Sequence, residues 1–143
     1  SVMWTPATAN VVGIVEVWAR SAGSLADAPE QYADLPYAIR PLITAVSVTA
    51  DRAAPQQAGT TITLTAAATG GAAPVQFKWW VYGAATGWTM LQDWSPATSA
   101  MWTPATANPM GKVEVWARSA ETLADAPEKY GDLAYAIEPA QLQ

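Results

Sequence analysis

The sequence VEVWAR occurs twice in this chain, at residues 15–20 and again at residues 113–118. The shift of 98 positions that superimposes them also aligns residues 3–41 with residues 101–139 without a gap. Of these 39 positions, 30 are identical, including MWTP at residues 101–104. Such self-similarity marks a duplicated unit, and its period matches the ~100 residues of one β-sandwich domain.

From position 42 onward the sequence has the pattern of short strands separated by turns. Segments rich in β-branched and aromatic residues alternate with segments rich in Gly, Pro, Ala and Asn, which is typical of an all-β domain. Only residues 123–130 suggest a helical turn. We therefore expect an all-β fold. The pattern predicts seven strands, over residues 43–50, 60–68, 75–82, 88–93, 99–103, 112–119 and 133–138.

The composition limits the function. With 51% hydrophobic and 13% charged residues, the chain can bury a core. It has no cysteine and no histidine, which removes disulfides, thiolate nucleophiles, imidazole bases and the usual ligands of zinc, copper and iron. The net charge of −5 disfavours a nucleic-acid partner, and no apolar run approaches the ~20 residues of a membrane helix. We expect no catalytic site, no cofactor or metal, no nucleic acid and no membrane span.

Several aromatic segments resemble one class of known domain. They are PVQFKWWVY at residues 74–82, Trp88, LQDW at residues 91–94, WTP at residues 102–104 and VEVWAR at residues 113–118. These segments are similar to the immunoglobulin-like repeats, akin to triple-tyrosine and PKD-type modules, of large secreted or surface proteins of bacteria. The resemblance implies a seven-stranded β-sandwich that acts as a structural or adhesive module, extracellular or on the cell surface. Its implied partners are itself or neighbouring repeats.

The repeat divides the chain unevenly. When the seven predicted strands are labelled A, B, C, C′, E, F and G, the resemblance implies that residues 42–139 form a complete immunoglobulin-like domain. Residues 1–41 supply only strands E, F and G, and residues 140–143 form a tail. Because the chain opens with Ser1 and not with Met, we expect it to be a processed or excised piece of a longer protein.

The partial copy is expected to need a partner. It lacks the A, B and C strands that would cover its apolar side chains, and each large apolar side chain left in water forgoes roughly 1.5–3 kcal/mol. Since the two E-F-G sets are near-identical, either is expected to fit the same core, so that chains can exchange strands. Alternatively, a longer native chain supplies the missing strands, or two partial copies pack together. The expected association surface comprises Val15, Val17, Trp18 and Ile39.

Alternation along strands C and F predicts a stripe of side chains on one outer face. In strand C the better inward set is Phe77, Trp79 and Val81, and strand F has an apolar set of the same kind. The two strands are neighbours in this topology, so the side chains between those sets share the opposite face. We name this face the aromatic stripe, and it comprises Lys78, Trp80, Tyr82, Glu114, Trp116 and Arg118.

Three interpretations of the aromatic stripe are open. Flat aromatic rings stack on the apolar faces of sugar rings, which would make the chain a polysaccharide-binding module. The connection between strands F and G, residues 120–132, can instead fold back over the stripe, whose rings then only stiffen the sheet. The stripe can also contact another domain or subunit. A sugar site requires rings open to solvent beside a groove.

Acidic residues cluster in the loop before the last strand and in its earlier copy. Carboxylates attract calcium, but the Asp-x-Asp-x-Asp-Gly spacing of a calcium loop is absent. Nothing in the sequence indicates the paired carboxylates of a glycoside hydrolase. We therefore expect a solvated polar loop. Its acidic residues are Asp125, Glu128 and Asp132, and their copies are Asp27, Glu30 and Asp34.

Overall fold

A computed structural model describes residues 1–119 and 122–141. Over these residues the chain is all-β, with eleven strands and no helix, which confirms the predicted fold class. The chain divides into two compact units, Ser1–Pro41 and Leu42–Gln143. Parts of the predicted F-G connection and of the predicted tail lie outside the described residues, namely residues 120, 121, 142 and 143.

The first unit is a two-stranded antiparallel sheet. It consists of β1 (Ile14–Ala19) and β2 (Gln31–Pro36), which pair along their whole length. Beyond the strand ends, a single bridge joins Asn10 to Ile39. Every residue of both strands is exposed, so neither face of this sheet is buried.

Within residues 42–119 and 122–141, the second unit contains nine strands in three sheets. The strands are β3 (Ile43–Ala50), β4 (Gln56–Gln57), β5 (Ile62–Gly70), β6 (Gln76–Gly83), β7 (Gly87–Ser95), β8 (Ser99–Trp102), β9 (Lys112–Arg118), β10 (Lys129–Ala134) and β11 (Ile137–Glu138). A four-stranded sheet has the order β10-β9-β6-β7, and a three-stranded sheet has the order β3-β5-β8. The short strand β11 pairs in parallel with β4.

The two larger sheets share one core. Trp79, Val113 and Val115 of the four-stranded sheet are fully buried, as are Ile62 and Leu64 of the three-stranded sheet. A single core between the inward faces of two antiparallel sheets is the arrangement of a β-sandwich. Of the predicted inward set of β6, Phe77 and Trp79 are buried and Val81 is half-buried, while the neighbouring Trp80 is also half-buried.

A buried tyrosine anchors the end of the sandwich. The Tyr135 ring meets the Trp102 ring edge-on, with centroids 5.7 Å apart. Its hydroxyl group donates a hydrogen bond to the carbonyl oxygen of Arg52 at 2.7 Å. This bond satisfies a polar group that would otherwise be costly to bury.

Two local predictions were wrong. Residues 123–130 form no helical turn, because Pro127 cannot continue a helix. The backbone N–H of Glu128 instead donates to Ala117 O at 2.9 Å, and β10 begins at the next residue. The strand predicted over residues 133–138 is divided between β10, which pairs with β9, and β11, which pairs with β4 in a separate sheet.

Candidate functional site

The aromatic stripe lies on the outer face of the four-stranded sheet. As predicted, β6 and β9 are neighbours, with Lys78 opposite Trp116 and Trp80 opposite Glu114. The rings of Trp80 and Trp116 lie 5.1 Å apart at an angle of 49°, within the range in which aromatic pairs attract. The remaining predicted members lie at the two ends of the stripe, Tyr82 opposite Lys112 and Arg118 opposite Gln76.

Two tryptophans of β7 extend the stripe. Trp88 lies opposite Tyr82, with ring centroids 5.3 Å apart. The Trp94 ring lies 6.4 Å from the Trp116 ring. Neither tryptophan is among the predicted members of the stripe. Trp88 lies in the regular part of the pairing of β6 with β7, whereas two register irregularities between Phe77 and Trp80 separate Trp94 from this part, and simple alternation does not hold across such irregularities.

One end of the stripe is covered by the loop that precedes β10. Asp125 Oδ1 accepts hydrogen bonds from Lys78 Nζ at 2.9 Å and from Trp94 Nε1 at 2.8 Å. These bonds hold the pKa of Asp125 below its usual value, and the bond to Asp125 raises the pKa of Lys78. Lys78 thus lies on the predicted face but is buried beneath the loop.

Arg118 fastens the same loop to the sheet. Its Nη1 atom donates to Ala124 O at 2.8 Å, and its Nε atom donates to Gln76 Oε1 at 2.8 Å. The guanidinium carbon lies 4.1 Å from the centre of the Trp94 ring, close enough for a cation–π interaction. At this end, the described part of the F-G connection covers the stripe.

The other end of the stripe is open. Trp80, Trp88, Glu114 and Trp116 line a shallow cleft of about 230 Å³. The Trp88 side chain is 43% exposed, and the indole N–H of Trp80 is buried without an acceptor among the described residues. Aromatic faces beside one carboxyl group suit a ligand that has both an apolar face and hydroxyl groups.

A second carboxyl group adjoins Glu114. Burial raises the pKa of Glu114, and a hydrogen bond shared with Asp132 raises it further, while the bond donated by Trp116 Nε1 opposes the rise. Lys112 Nζ lies 3.1 Å from Asp132 Oδ2, and this contact raises the pKa of Lys112. The Glu114 and Asp132 carboxyl groups therefore share a hydrogen bond, and the Lys112 ammonium group lies near both.

Glu128 links the loop before β10 to Ser119 and to the start of β3 by hydrogen bonds. Its carboxylate accepts hydrogen bonds from the backbone N–H and the hydroxyl group of Ser119, at 2.8 and 3.0 Å, and from Ile43 N at 3.3 Å. Burial raises the pKa of Glu128, but these bonds outweigh burial and leave its pKa below the usual value. In the first unit, Glu30 makes the two bonds to Ser21 at the same distances.

The acidic loop residues do not converge on one point. Asp125 binds Lys78, whereas Asp132 binds Lys112. In the first unit Asp27 is exposed, and a hydrogen bond with Glu16 raises the pKa of Asp34. Within residues 1–119 and 122–141, no group of three or more acidic side chains is placed to hold a metal ion.

The first unit exposes a face that is buried in the second. Val15 and Val17 are exposed, Val17 by 64%, whereas their copies Val113 and Val115 are fully buried. Ile39 is half-buried, and its copy is buried in the core. We name this face of the first unit, comprising Val15, Val17, Tyr37 and Ile39, the uncovered core face.

The two copies nevertheless have the same local geometry. Trp4 meets Tyr37 edge-on, with ring centroids 6.2 Å apart, as Trp102 meets Tyr135 at 5.7 Å. Yet Tyr37 is 52% exposed and Tyr135 is 2% exposed. The first unit therefore keeps the conformation of the last strands of the sandwich without their cover.

Trp18 was assigned to the association surface, but it does not lie on the uncovered core face. Successive side chains of a strand point to opposite faces, so Trp18 points away from Val15 and Val17 and matches Trp116 of the aromatic stripe. Its indole N–H donates to the carboxylate of Glu16, as that of Trp116 does to Glu114. The predicted members of β1 therefore lie on its two opposite faces, Val15 and Val17 on one and Trp18 on the other.

Comparison with protein-family models, with curated proteins and with solved structures gave no match for this chain. In the part of the chain that the structure describes, there is no helix with the length and hydropathy needed to cross a membrane.

Proposed function

We propose that this chain is a segment of a tandem array of immunoglobulin-like repeats, and that it acts as a non-catalytic structural or adhesive module of a bacterial protein, outside the cell or on its surface. One observation carries the proposal. Identical valines are buried at positions 113 and 115 and exposed at positions 15 and 17. A sequence that forms a core in one copy is expected to form a core in the other once strands of another repeat cover it.

The second unit indicates which strands are missing. There β9 lies between β10 and β6, so both of its edges are paired. β1 is the copy of β9 and, over the described residues, pairs only with β2, the copy of β10. The open edge of β1 is thus the edge that a strand of the β6 type would occupy. Addition of a strand to an open edge is a common mode of protein association.

Analytical ultracentrifugation tests the proposal. We expect residues 1–143 to associate increasingly as concentration rises, because the uncovered core face is apolar. Residues 42–143 alone, and the Val17→Asp variant of the whole chain, should remain monomeric. Glu16→Gln, on the opposite face of β1, serves as the control and should associate like the unaltered chain. A whole chain that is monomeric at every concentration would contradict the proposal.

The cleft at the open end of the aromatic stripe supports a second function, binding of a polysaccharide. Trp88 presents an exposed ring, Trp80 and Trp116 form an adjoining pair, and Glu114 offers a hydrogen-bonding group. Stacking of a sugar ring on indole, together with hydrogen bonds to a carboxyl group, is the chemistry of such sites.

Depletion of the protein by insoluble cellulose, chitin and xylan tests this second function. We expect the unaltered chain to be retained on at least one of these polymers and Trp88→Ala to lose retention. Trp18→Ala removes an exposed tryptophan outside the cleft and is the control, so its retention should be unchanged. Equal retention of both variants, or no retention of the unaltered chain, would exclude the cleft as a site for these polysaccharides.

A further inference from the structure

We infer that the two E-F-G sets are not interchangeable, and that Val2 and Ala33 make residues 1–41 specific for a covering half-sandwich that has more room than residues 42–98. The partner is therefore the A-B-C half of another repeat of the same type, with altered packing at two points. This inference rests on the proposed function, in which such a half covers residues 1–41.

The first discriminating position is occupied by Ala33 in one copy and by Gly131 in the other. In the second unit, a Cβ atom at position 131 would lie 2.7 Å from Val46 O and 3.1 Å from Val46 C. Both of these atoms belong to the backbone of β3, which cannot yield as a flexible side chain does. An alanine fits here only if β3 moves, so Ala33 does not fit beneath the β3 of this chain.

The second discriminating position is found by extending the repeat two residues towards the start of the chain. Ser1 then aligns with the identical Ser99, and Val2 aligns with Ala100. Ala100 lies opposite Leu64 on β8 and is 3% exposed within the core. A valine there would add two methyl groups within the core, and overpacking of a core is destabilising.

The other differences between the copies fall elsewhere. In the second unit their described positions are exposed or half-buried. Six residues that are buried in the core of the second unit are identical in the first copy. They are Trp102, Val113, Val115, Ala117, Tyr135 and Ile137, and their copies are Trp4, Val15, Val17, Ala19, Tyr37 and Ile39. These core residues are thus retained, whereas Val2 is larger than the buried Ala100, and Ala33 adds a Cβ atom where Gly131 meets the backbone of β3.

This inference departs from the expectation that either set fits the same core. Gly131 and Ala100 suit the half-sandwich of residues 42–98, whereas their copies do not. In an array of near-identical repeats, such differences direct each E-F-G set to its own A-B-C half and oppose strand exchange between repeats. Specificity of this kind combines attraction to the right partner with steric exclusion of the wrong one.

Competitive disulfide trapping in the whole chain tests the inference, because the chain contains no cysteine of its own. Thr63 lies opposite Met101 across β5 and β8, and Met3 is the copy of Met101. Facing positions of this kind are close enough for a disulfide. The test uses a chain that carries Thr63→Cys, Met3→Cys and Met101→Cys. Mass spectrometry then shows whether the cysteine at position 63 forms its disulfide with position 3 of the first E-F-G set or with position 101 of the second.

In the unaltered background, we expect position 63 to be linked almost entirely to position 101. Val2→Ala with Ala33→Gly leaves the second unit untouched and should raise the share linked to position 3. Adding Ala100→Val and Gly131→Ala should make position 3 the preferred partner, with the ratio of linkage at position 3 to linkage at position 101 shifted by about tenfold or more.

If linkage to position 3 is already as frequent as linkage to position 101 in the unaltered background, the inference is overturned and the proposed function stands. If position 3 is not linked in any background, the proposed function itself is overturned.

Discussion

Val17 and Val115 occupy equivalent positions in the two copies of one repeat, yet Val115 is fully buried and Val17 is 64% exposed. The local strand pairing is the same for both, since each lies in an antiparallel pair with the strand that follows it. The difference between them is the cover supplied by other strands. Comparison of these two valines therefore shows how much burial the other strands of the sandwich supply.

Truncation of the two valines should have unequal effects. Val115→Ala removes two buried methyl groups and leaves a cavity, so we expect the free energy of unfolding of the second unit to fall by about 2 kcal/mol. Val17→Ala changes an exposed side chain and should alter stability by less than about 0.5 kcal/mol. Urea titration followed by circular dichroism gives both values. Equal losses would show that the first unit is already covered in solution.

Trp79 and Trp80 provide a test of the inward and outward sides of β6. Trp79→Ala should lower the free energy of unfolding by roughly 3–5 kcal/mol, because it empties the centre of the core. Trp80→Ala should cost much less, since its ring is half-buried on the aromatic stripe. Denaturant titration of the two variants is the measurement. An inverted order would place the wrong side of β6 in the core.

The bond between Asp125 and Lys78 predicts a pH dependence. The pKa of Asp125 is lowered in the folded chain, so its carboxylate stabilises the fold above its usual pKa of 3.8, and this contribution is lost as the pH falls through the lowered value. Asp125→Asn should therefore reduce the melting temperature at pH 7, and the difference should vanish in strong acid. Asp27→Asn, at the matching position of the first unit, is the control and should have little effect at any pH.

Gly131→Ala should lower the stability of the second unit, although alanine is usually more stabilising than glycine in a strand. Alanine normally stabilises such a position by limiting the unfolded chain. Here its Cβ atom would lie 2.7 Å from the backbone of β3, so we expect a loss of roughly 1–3 kcal/mol, as for other overpacked sites. Ala33→Gly should leave the second unit unchanged. A stabilised Gly131→Ala variant would mean that β3 adjusts without strain.

Alternation along β6 and β9 was sufficient to predict that Trp79 is buried and that Trp80 and Trp116 share the outer face of the sheet, because these strands pair without irregularity. Trp88 and Trp94 lie on β7, and alternation along β6 and β9 does not show how β7 pairs with β6. Trp88 lies in the regular part of this pairing, opposite Tyr82, whereas two register irregularities between Phe77 and Trp80 separate Trp94 from it. The burial of Lys78 was not predictable either. It depends on Asp125, which is 47 residues away in the sequence and is brought to Lys78 by the fold.

The close approach of β3 to Gly131 was also beyond the reach of the sequence. Comparison of the two copies shows that position 33 holds alanine where position 131 holds glycine, but a single methyl group is an unremarkable difference in a duplicated unit. The effect of this methyl group depends on the distance between a Cβ atom at position 131 and the backbone of Val46. Only the folded arrangement of β3 and β10 shows that distance.

The most direct test of the central claim is to supply the missing half-sandwich. Residues 42–98 are joined in front of Ser1, which aligns with Ser99, in a chain that carries Val2→Ala and Ala33→Gly so that the added half fits. Amide hydrogen exchange is then measured along β1. We expect the amides of β1, which lie in an exposed two-stranded sheet in the unaltered chain, to become as protected as those of β9. Exchange along β1 that stays as fast as before would show that residues 1–41 are not the second half of such a sandwich.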